Sequence, residues 1–176
     1  MKVQLDKIGP NGYDLDEPLT VAWLTEALGR ALPFYVTQDG HLVVHLTRVQ
    51  ETVVQVSGRV QVTLEASCSR CFVPVRLPLK SAVSVTLFPK GGEPLATDDG
   101  ELSLDDMGIG TYEHREIDLT HVVHDEVFLG LPMTPLCSPE CRGLCARCGA
   151  NLNGGSCSCD AEVDMRLEAL RHIKLS

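Results

Sequence analysis

Hydrophobic positions along this chain recur at two periods, and the switches between them mark its elements. In the middle, Val60, Val62, Leu64 and Ala66 alternate with Arg59, Gln61, Thr63 and Glu65. A period of two with one apolar side predicts antiparallel strands packed on one face. Runs rich in Val, Leu and Thr predict strands over 41–49, 52–67, 73–79 and 82–88. Elsewhere the spacing becomes helical. Leu19, Ala22, Trp23, Glu26, Ala27 and Arg30 fit one helix, with Pro18 suited to its first turn and Gly29 and Pro33 limiting its end. Trp23 and Leu24 then belong in the core. Asp118 is placed to cap a second helix with the stripe Leu119, Val122, Val123, Val127 and Leu131, ended by Gly130 and Pro132. His121 and His124, one turn apart on it, read as surface or core-edge residues, since no partner motif for a metal accompanies them. Asp160 is placed to cap a terminal amphipathic helix through Val163, Leu167, Leu170 and Ile173. Residues 1–17 read as a short strand and an irregular arm with a turn at 9–12.

Periodicity fails over 89–110, where Gly91-Gly92, Asp98-Asp99-Gly100 and Asp105-Asp106 predict a long mobile acidic loop at about 91–110. Charge sharpens this picture. The formal net charge is −9, yet residues 93–126 hold eleven acids against Arg115 alone, a local −10. The loop is either a solubilising excursion or a phosphate mimic for a basic partner. Near the cysteines the balance reverses: Arg70, Arg76, Lys80 and Lys90 follow Cys68 with no acid before Glu93, and Arg142 and Arg147 lie in 141–159 with none. Such surfaces suit a phosphate backbone, or they offset the negative charge of four-thiolate metal centres. At 176 residues and 44% hydrophobic composition, the chain can bury one core and carry an appendage.

Eight cysteines in four close pairs supply the candidate chemistry: Cys68-Ser-Arg-Cys71, Cys137-Ser-Pro-Glu-Cys141, Cys145-Ala-Arg-Cys148 and Cys157-Ser-Cys159. Paired thiolates each offer two soft ligands from one tight turn, so eight make two tetrahedral zinc sites. Disulfides and a redox switch are the rival uses. The opening Met1-Lys2-Val3-Gln4-Leu5-Asp6 is no secretory signal, and no apolar run approaches the roughly 20 residues of a membrane span. The short glycine-rich loop predicts Cys145, Cys148, Cys157 and Cys159 as one site. Cys68, Cys71, Cys137 and Cys141 then form the second, joining a hairpin tip to the end of the Asp118 helix. The alternative draws one site from the last six cysteines and leaves Cys68 and Cys71 as a free dithiol. Closed four-cysteine sites leave no position for a substrate, and no Walker loop, dinucleotide glycine set or nucleophile elbow is visible. Acid pairs in a flexible loop lack the preorganisation a magnesium nuclease needs. The reading is a non-enzyme with no small-molecule substrate.

In order along the chain stand Glu65-Ala-Ser-Cys-Ser-Arg-Cys-Phe72, Glu116-Ile-Asp-Leu119, Glu126-Val-Phe-Leu-Gly-Leu-Pro-Met133, the block from Pro135 through Asn153, and Asp164-Met-Arg166. This series resembles the YceD-like family of large ribosomal RNA subunit accumulation proteins, over roughly 58–173; Met165 stands where that family has proline. The resemblance implies bacterial cytoplasm or an organelle stroma. It also implies support for accumulation or processing of large-subunit (23S) ribosomal RNA, with that RNA or a large-subunit ribosomal protein as partner. Arg70, Arg76, Arg142 and Arg147 are the candidate contacts, and zinc, two ions, the candidate cofactor. A thiol- or zinc-based redox sensor is the alternative. The expected architecture is α+β: a mostly antiparallel sheet core with an N-terminal helix and a connecting helix over 1–136. A zinc-stapled, cysteine-rich module and a C-terminal helix packed on the core occupy 137–176.

Overall fold

The computed structural model describes residues 1–29, 33–92 and 108–159. Its organising element is β5 (Val54–Ser67), which pairs on both edges. On one edge run β4 (Gly40–Arg48) and β3 (Phe34–Val36); on the other, β6 (Pro74–Pro89) pairs along the whole of β5. Outside these lie β2 (Tyr13–Leu19), antiparallel to β4, and β7 (Ile109–Tyr112), parallel to β6. A separate ribbon pairs β1 (Lys2–Gln4) with β8 (Glu116–Asp118). The fold is α+β with a mostly antiparallel sheet, as the alternation predicts.

The alternation also sets the layers. Val54, Val56, Val60, Val62, Leu64 and Ala66 are buried together with Leu42, Val44 and Leu46 of β4. Leu24 and Leu28 of helix α1 (Val21–Leu28) join them, as do Leu119, Val122, Val123 and Val127 of helix α2 (Leu119–Gly130). Each such Val or Leu side chain contributes about 1.5–3 kcal/mol relative to exposure, so the stability of the fold resides in this layer. The opposite sheet face carries Arg59, Arg76 and Lys80, all exposed. Gly58 lets β4 and β5 meet closely, for a Cβ there would lie 2.1 Å from the Val43 carbonyl oxygen.

The boundaries differ from the sequence expectation in several places, and β3, β7 and β8 are strands it did not include. Pro18 lies in β2, not in a helical turn; β2 is an edge strand, where a missing N–H is tolerated. Thr20 caps α1 instead, its hydroxyl accepting from the Trp23 N–H at 3.3 Å, and Trp23 is half-buried against the core. The two strands expected over 73–79 and 82–88 are one continuous strand, β6. Pro78 fits within it because β7 pairs with β6 only from Thr86 onward. The irregular arm contains β1, a single 3-10 turn at Leu5–Lys7 and β2. Asp118 caps α2 as expected, accepting from the Thr120 N–H at 2.9 Å; the helix ends where Leu131, before Pro132, becomes extended. Of the acidic loop expected at about 91–110, residues 93–107 lie outside the described residues, as does the helix expected after Cys159. Ile109 and Gly110, at the expected end of the loop, belong instead to β7, where β6 supplies them a parallel partner. No helix among the described residues is long and apolar enough to cross a membrane.

Candidate metal centres

The β5–β6 connection is a tight knuckle containing Cys68 and Cys71. Its backbone closes with Phe72 N–H donating to the Cys68 carbonyl at 2.9 Å and Cys68 N–H donating to the Val73 carbonyl at 2.8 Å. After α2 the chain returns to this knuckle, where Ser69 N–H donates to the Pro135 carbonyl at 2.8 Å. Cys137 and Cys141 are thereby delivered beside the first pair. The Cys68 and Cys141 sulfurs lie 3.8 Å apart, and those of Cys71 and Cys137 lie 3.5 Å apart. All four ligand atoms fall within 4.8 Å of one another. A tetrahedron with metal–sulfur bonds of about 2.3 Å has edges of about 3.8 Å, so this spacing fits a closed four-thiolate site. It is far from the roughly 2.05 Å of a disulfide, and all eight thiols are free.

Cys145, Cys148, Cys157 and Cys159 gather in the same way, also within 4.8 Å. Their knuckle repeats the first bond for bond: Gly149 N–H donates to the Cys145 carbonyl at 2.9 Å, and Cys145 N–H to the Ala150 carbonyl at 2.8 Å. The grouping is the one read from the spacing, and the single-site alternative is not what the fold assembles. The two quartets differ in setting. Cys68, Cys71 and Cys141 are buried in a small cluster with Val73, Val75, Leu136 and Leu144, whereas the second quartet is half-buried to exposed. His121 and His124 take no part: His121 is exposed, and His124 stacks on Phe128 at 4.2 Å.

Electrostatics in each quartet are those of sulfurs crowded for a cation. Burial opposes ionisation of Cys68, yet backbone N–H groups of Arg70, Cys137 and Cys71 bring its thiol down to about 6. The Asn153 amide holds Cys141 below its ordinary value against burial. The neighbouring sulfurs of Cys141 and Cys71 then push Cys137 up to about 12. In the second quartet the backbone N–H groups of Cys148 and Arg147 bring Cys145 down to about 6, and Cys148 pushes Cys159 up to about 12. In each quartet, thiolates held by amide dipoles thus raise the cost of ionising a neighbour. A divalent cation at the centre reverses that logic and deprotonates coordinating thiols outright. The donor set therefore fits a soft metal, and each quartet can hold one ion.

A seam joins the centres. Asn153, in the loop of the second quartet, donates its amide Nδ2 to Cys141 Sγ of the first at 3.3 Å and accepts the Arg142 N–H at 2.7 Å. Leu144 N–H donates to the Arg70 carbonyl at 3.2 Å, and the Arg70 guanidinium donates to the Cys141 carbonyl at 2.8 Å. Gly143, with φ of +75°, is needed there because a Cβ would meet the Arg70 carbonyl oxygen at 3.0 Å. Arg70, expected as a partner contact, is thus also a strut of the seam. Arg142 flanks the same seam and is exposed; Arg76 is exposed on β6 opposite Glu65, and Arg147 is exposed on the second knuckle. Elsewhere, a depression of about 700 Å³ between β7 and α2 is lined by Glu113, Glu116, Asp118, Asp125 and Glu126 among others, and so disfavours anions. Asn153 escaped the sequence reading because its partner is distant along the chain. Phe72 escaped it too, although aligning the two knuckles shows an aromatic where the second has Gly149.

The model of one family, described as large ribosomal RNA subunit accumulation protein YceD, matches residues 56–174. An uncharacterized protein of Mycobacterium tuberculosis is 33% identical over 100 residues, which are 56% of this chain and 45% of that protein. The maize protein named large ribosomal RNA subunit accumulation protein YCED homolog 1, chloroplastic, is 29% identical over 141 residues, 68% of this chain and 48% of that one. Its Arabidopsis thaliana namesake is 42% identical over 50 residues, 28% of this chain and 16% of the relative. The chain thus spans less than half the length of these relatives. No solved structure matches the chain.

Proposed function

This chain belongs to the YceD family of large ribosomal RNA subunit accumulation proteins, and from that premise we propose that it supports accumulation of large-subunit ribosomal RNA without catalysing a reaction. It acts as an adaptor in the bacterial cytoplasm, gripping precursor RNA or a large-subunit ribosomal protein. The observation that carries the adaptor reading is the pair of quartets, which consume all eight thiols in closed sets of four. Zinc held by Cys68, Cys71, Cys137 and Cys141, and by Cys145, Cys148, Cys157 and Cys159, supplies rigid crosslinks and offers no open position for a substrate. Around these centres the exposed cations Arg76, Arg142 and Arg147 form the contact surface, and Arg70 both contributes to it and holds the seam.

Deleting the gene and quantifying large- against small-subunit ribosomal RNA tests the reading. A fall in the large-subunit species alone is expected, and normal levels would remove the proposal. Complementation with Arg76, Arg142 and Arg147 all replaced by Ala separates contact from folding, since none of these side chains is a ligand. The variant keeps its metal and loses association with pre-ribosomal particles. If the contact is to phosphate, that association also falls steeply with salt in the parent protein.

A further inference from the structure

The two knuckles are backbone replicas, and the residue after the second cysteine takes the left-handed conformation in both: φ is +71° at Gly149 and +59° at Phe72. Glycine adopts this conformation freely; a bulky side chain does so at a cost, through the contact of Cβ with the following carbonyl. Packing does not compensate. Phe72 is 69% exposed and stays out of the cluster that Val73, Val75, Leu136 and Leu144 form with the cysteines. The first knuckle therefore holds an aromatic ring in solvent, in a backbone state where the second shows that glycine serves.

The chain on either side of this ring is cationic, with Glu65 of β5, opposite Arg76, the acid that faces it across the sheet. No acid occurs from Cys68 to Gly92 or from Cys141 to Cys159. Arg70 precedes the ring by two residues, Arg142 adjoins Gly143 where it meets the Arg70 backbone, and Arg76 follows in β6. An exposed ring with Arg70 and Arg76 close along the same strand hairpin, and outside the buried cluster of Val73, Val75, Leu136 and Leu144, differs from the contiguous apolar anchor of a protein–protein hot spot. It matches the pairing of a stacking face with phosphate-neutralising cations that binds single-stranded nucleic acid.

We propose that Phe72 is a stacking platform for an unpaired base of single-stranded RNA, with Arg142 and Arg76 engaging the flanking phosphates. This rests on the RNA branch of the function proposed above and gives it an address.

The experiment uses the full zinc-loaded chain and a fluorescent single-stranded oligouridine of about 12 nucleotides, within the range of sites such platforms occupy, read by fluorescence anisotropy. Phe72→Gly relieves the backbone, so it retains its zinc and unfolds at equal or higher denaturant. Its RNA affinity nonetheless falls about 5- to 100-fold, the scale of one base–aromatic stack. Phe72→Tyr, which keeps the ring, stays within about twofold of the parent because every base has a stacking face. Unchanged affinity in Phe72→Gly, or an equal loss in Phe72→Tyr, overturns the proposal. Failure of the parent to bind the oligonucleotide overturns it as well, placing the contact on protein and leaving the ribosomal role standing. Normal large-subunit RNA in deleted cells has the opposite effect: it strikes the ribosomal role, while a ring-dependent affinity still supports the platform.

Discussion

Replacing one cysteine of each quartet by serine should separate a global crosslink from a local one. Through the first quartet, Cys71 is joined to Cys137 across 66 residues that include β6, β7, β8 and α2. If the metal acts as a chain crosslink, closing a loop of that length is worth about 4 kcal/mol of unfolded-state entropy. In the second quartet Cys148 and Cys157 close only nine residues, for which the same relation gives about 2.5 kcal/mol. The two effects also land in different places. Beyond Cys141, the described segment to Cys159 adds no residue to the buried hydrophobic core, so its opening leaves the sheet intact. Cys68→Ser should therefore shift the urea midpoint of the β-sheet circular dichroism signal downward, by about 2 M at a slope near 2 kcal/mol/M. Cys145→Ser should leave that midpoint almost unchanged and accelerate amide exchange only in residues 142–159. Equal midpoint shifts in the two variants would refute the reasoning, since both crosslinks would then be carrying the same structure.

Elemental analysis of the reduced protein should find close to two zinc ions per chain, and a chelator should remove them together with the knuckle fold; less than half an ion defeats the metal assignment. Gly58→Ala forces a methyl against the Val43 carbonyl, with an expected loss of about 2–3 kcal/mol in denaturation, and a loss below about half that would mean the strands can part. Asp118→Ala removes the cap of α2, at about 1 kcal/mol near pH 7. Burial opposes the Asp118 charge, but hydrogen bonds from Thr120 outweigh it and hold the carboxyl below its ordinary range. A lowered carboxyl stabilises above its unfolded value of about 3.9 and ceases to as pH falls through the folded value. The gap between variant and parent should accordingly close below about pH 4, and a gap independent of pH would contradict the capping role.

The strand pattern of β5, the cap at Asp118 and the division of the cysteines were all legible because each depends on residues near in sequence or on ligand arithmetic. Pro18 misled because a proline that suits a first helical turn suits an edge strand equally, and only the pairing of β2 with β4 decides between them. The break expected within β6 has a similar cause, since local composition does not reveal that β5 supplies a partner along the whole of it. Asn153 and Arg70 gain their roles from the return of the chain to the first knuckle. Phe72 was different: the four residues after Cys68 and Cys145 hold the comparison in plain view, but its meaning required the backbone angle.

Pairing cysteines across so long a stretch also imposes a timetable on synthesis. At about 5–20 residues per second, translation needs on the order of 3–13 s to pass from Cys71 to Cys137. Throughout that interval the nascent chain carries a dithiol with half of its coordination shell not yet made. Cys68 and Cys71 can complete a four-thiolate site only if they stay reduced until Cys141 arrives. Conditions that oxidise thiols or starve cells of metal would consequently injure newly made copies before mature ones, because in the completed first quartet Cys68, Cys71 and Cys141 are already buried.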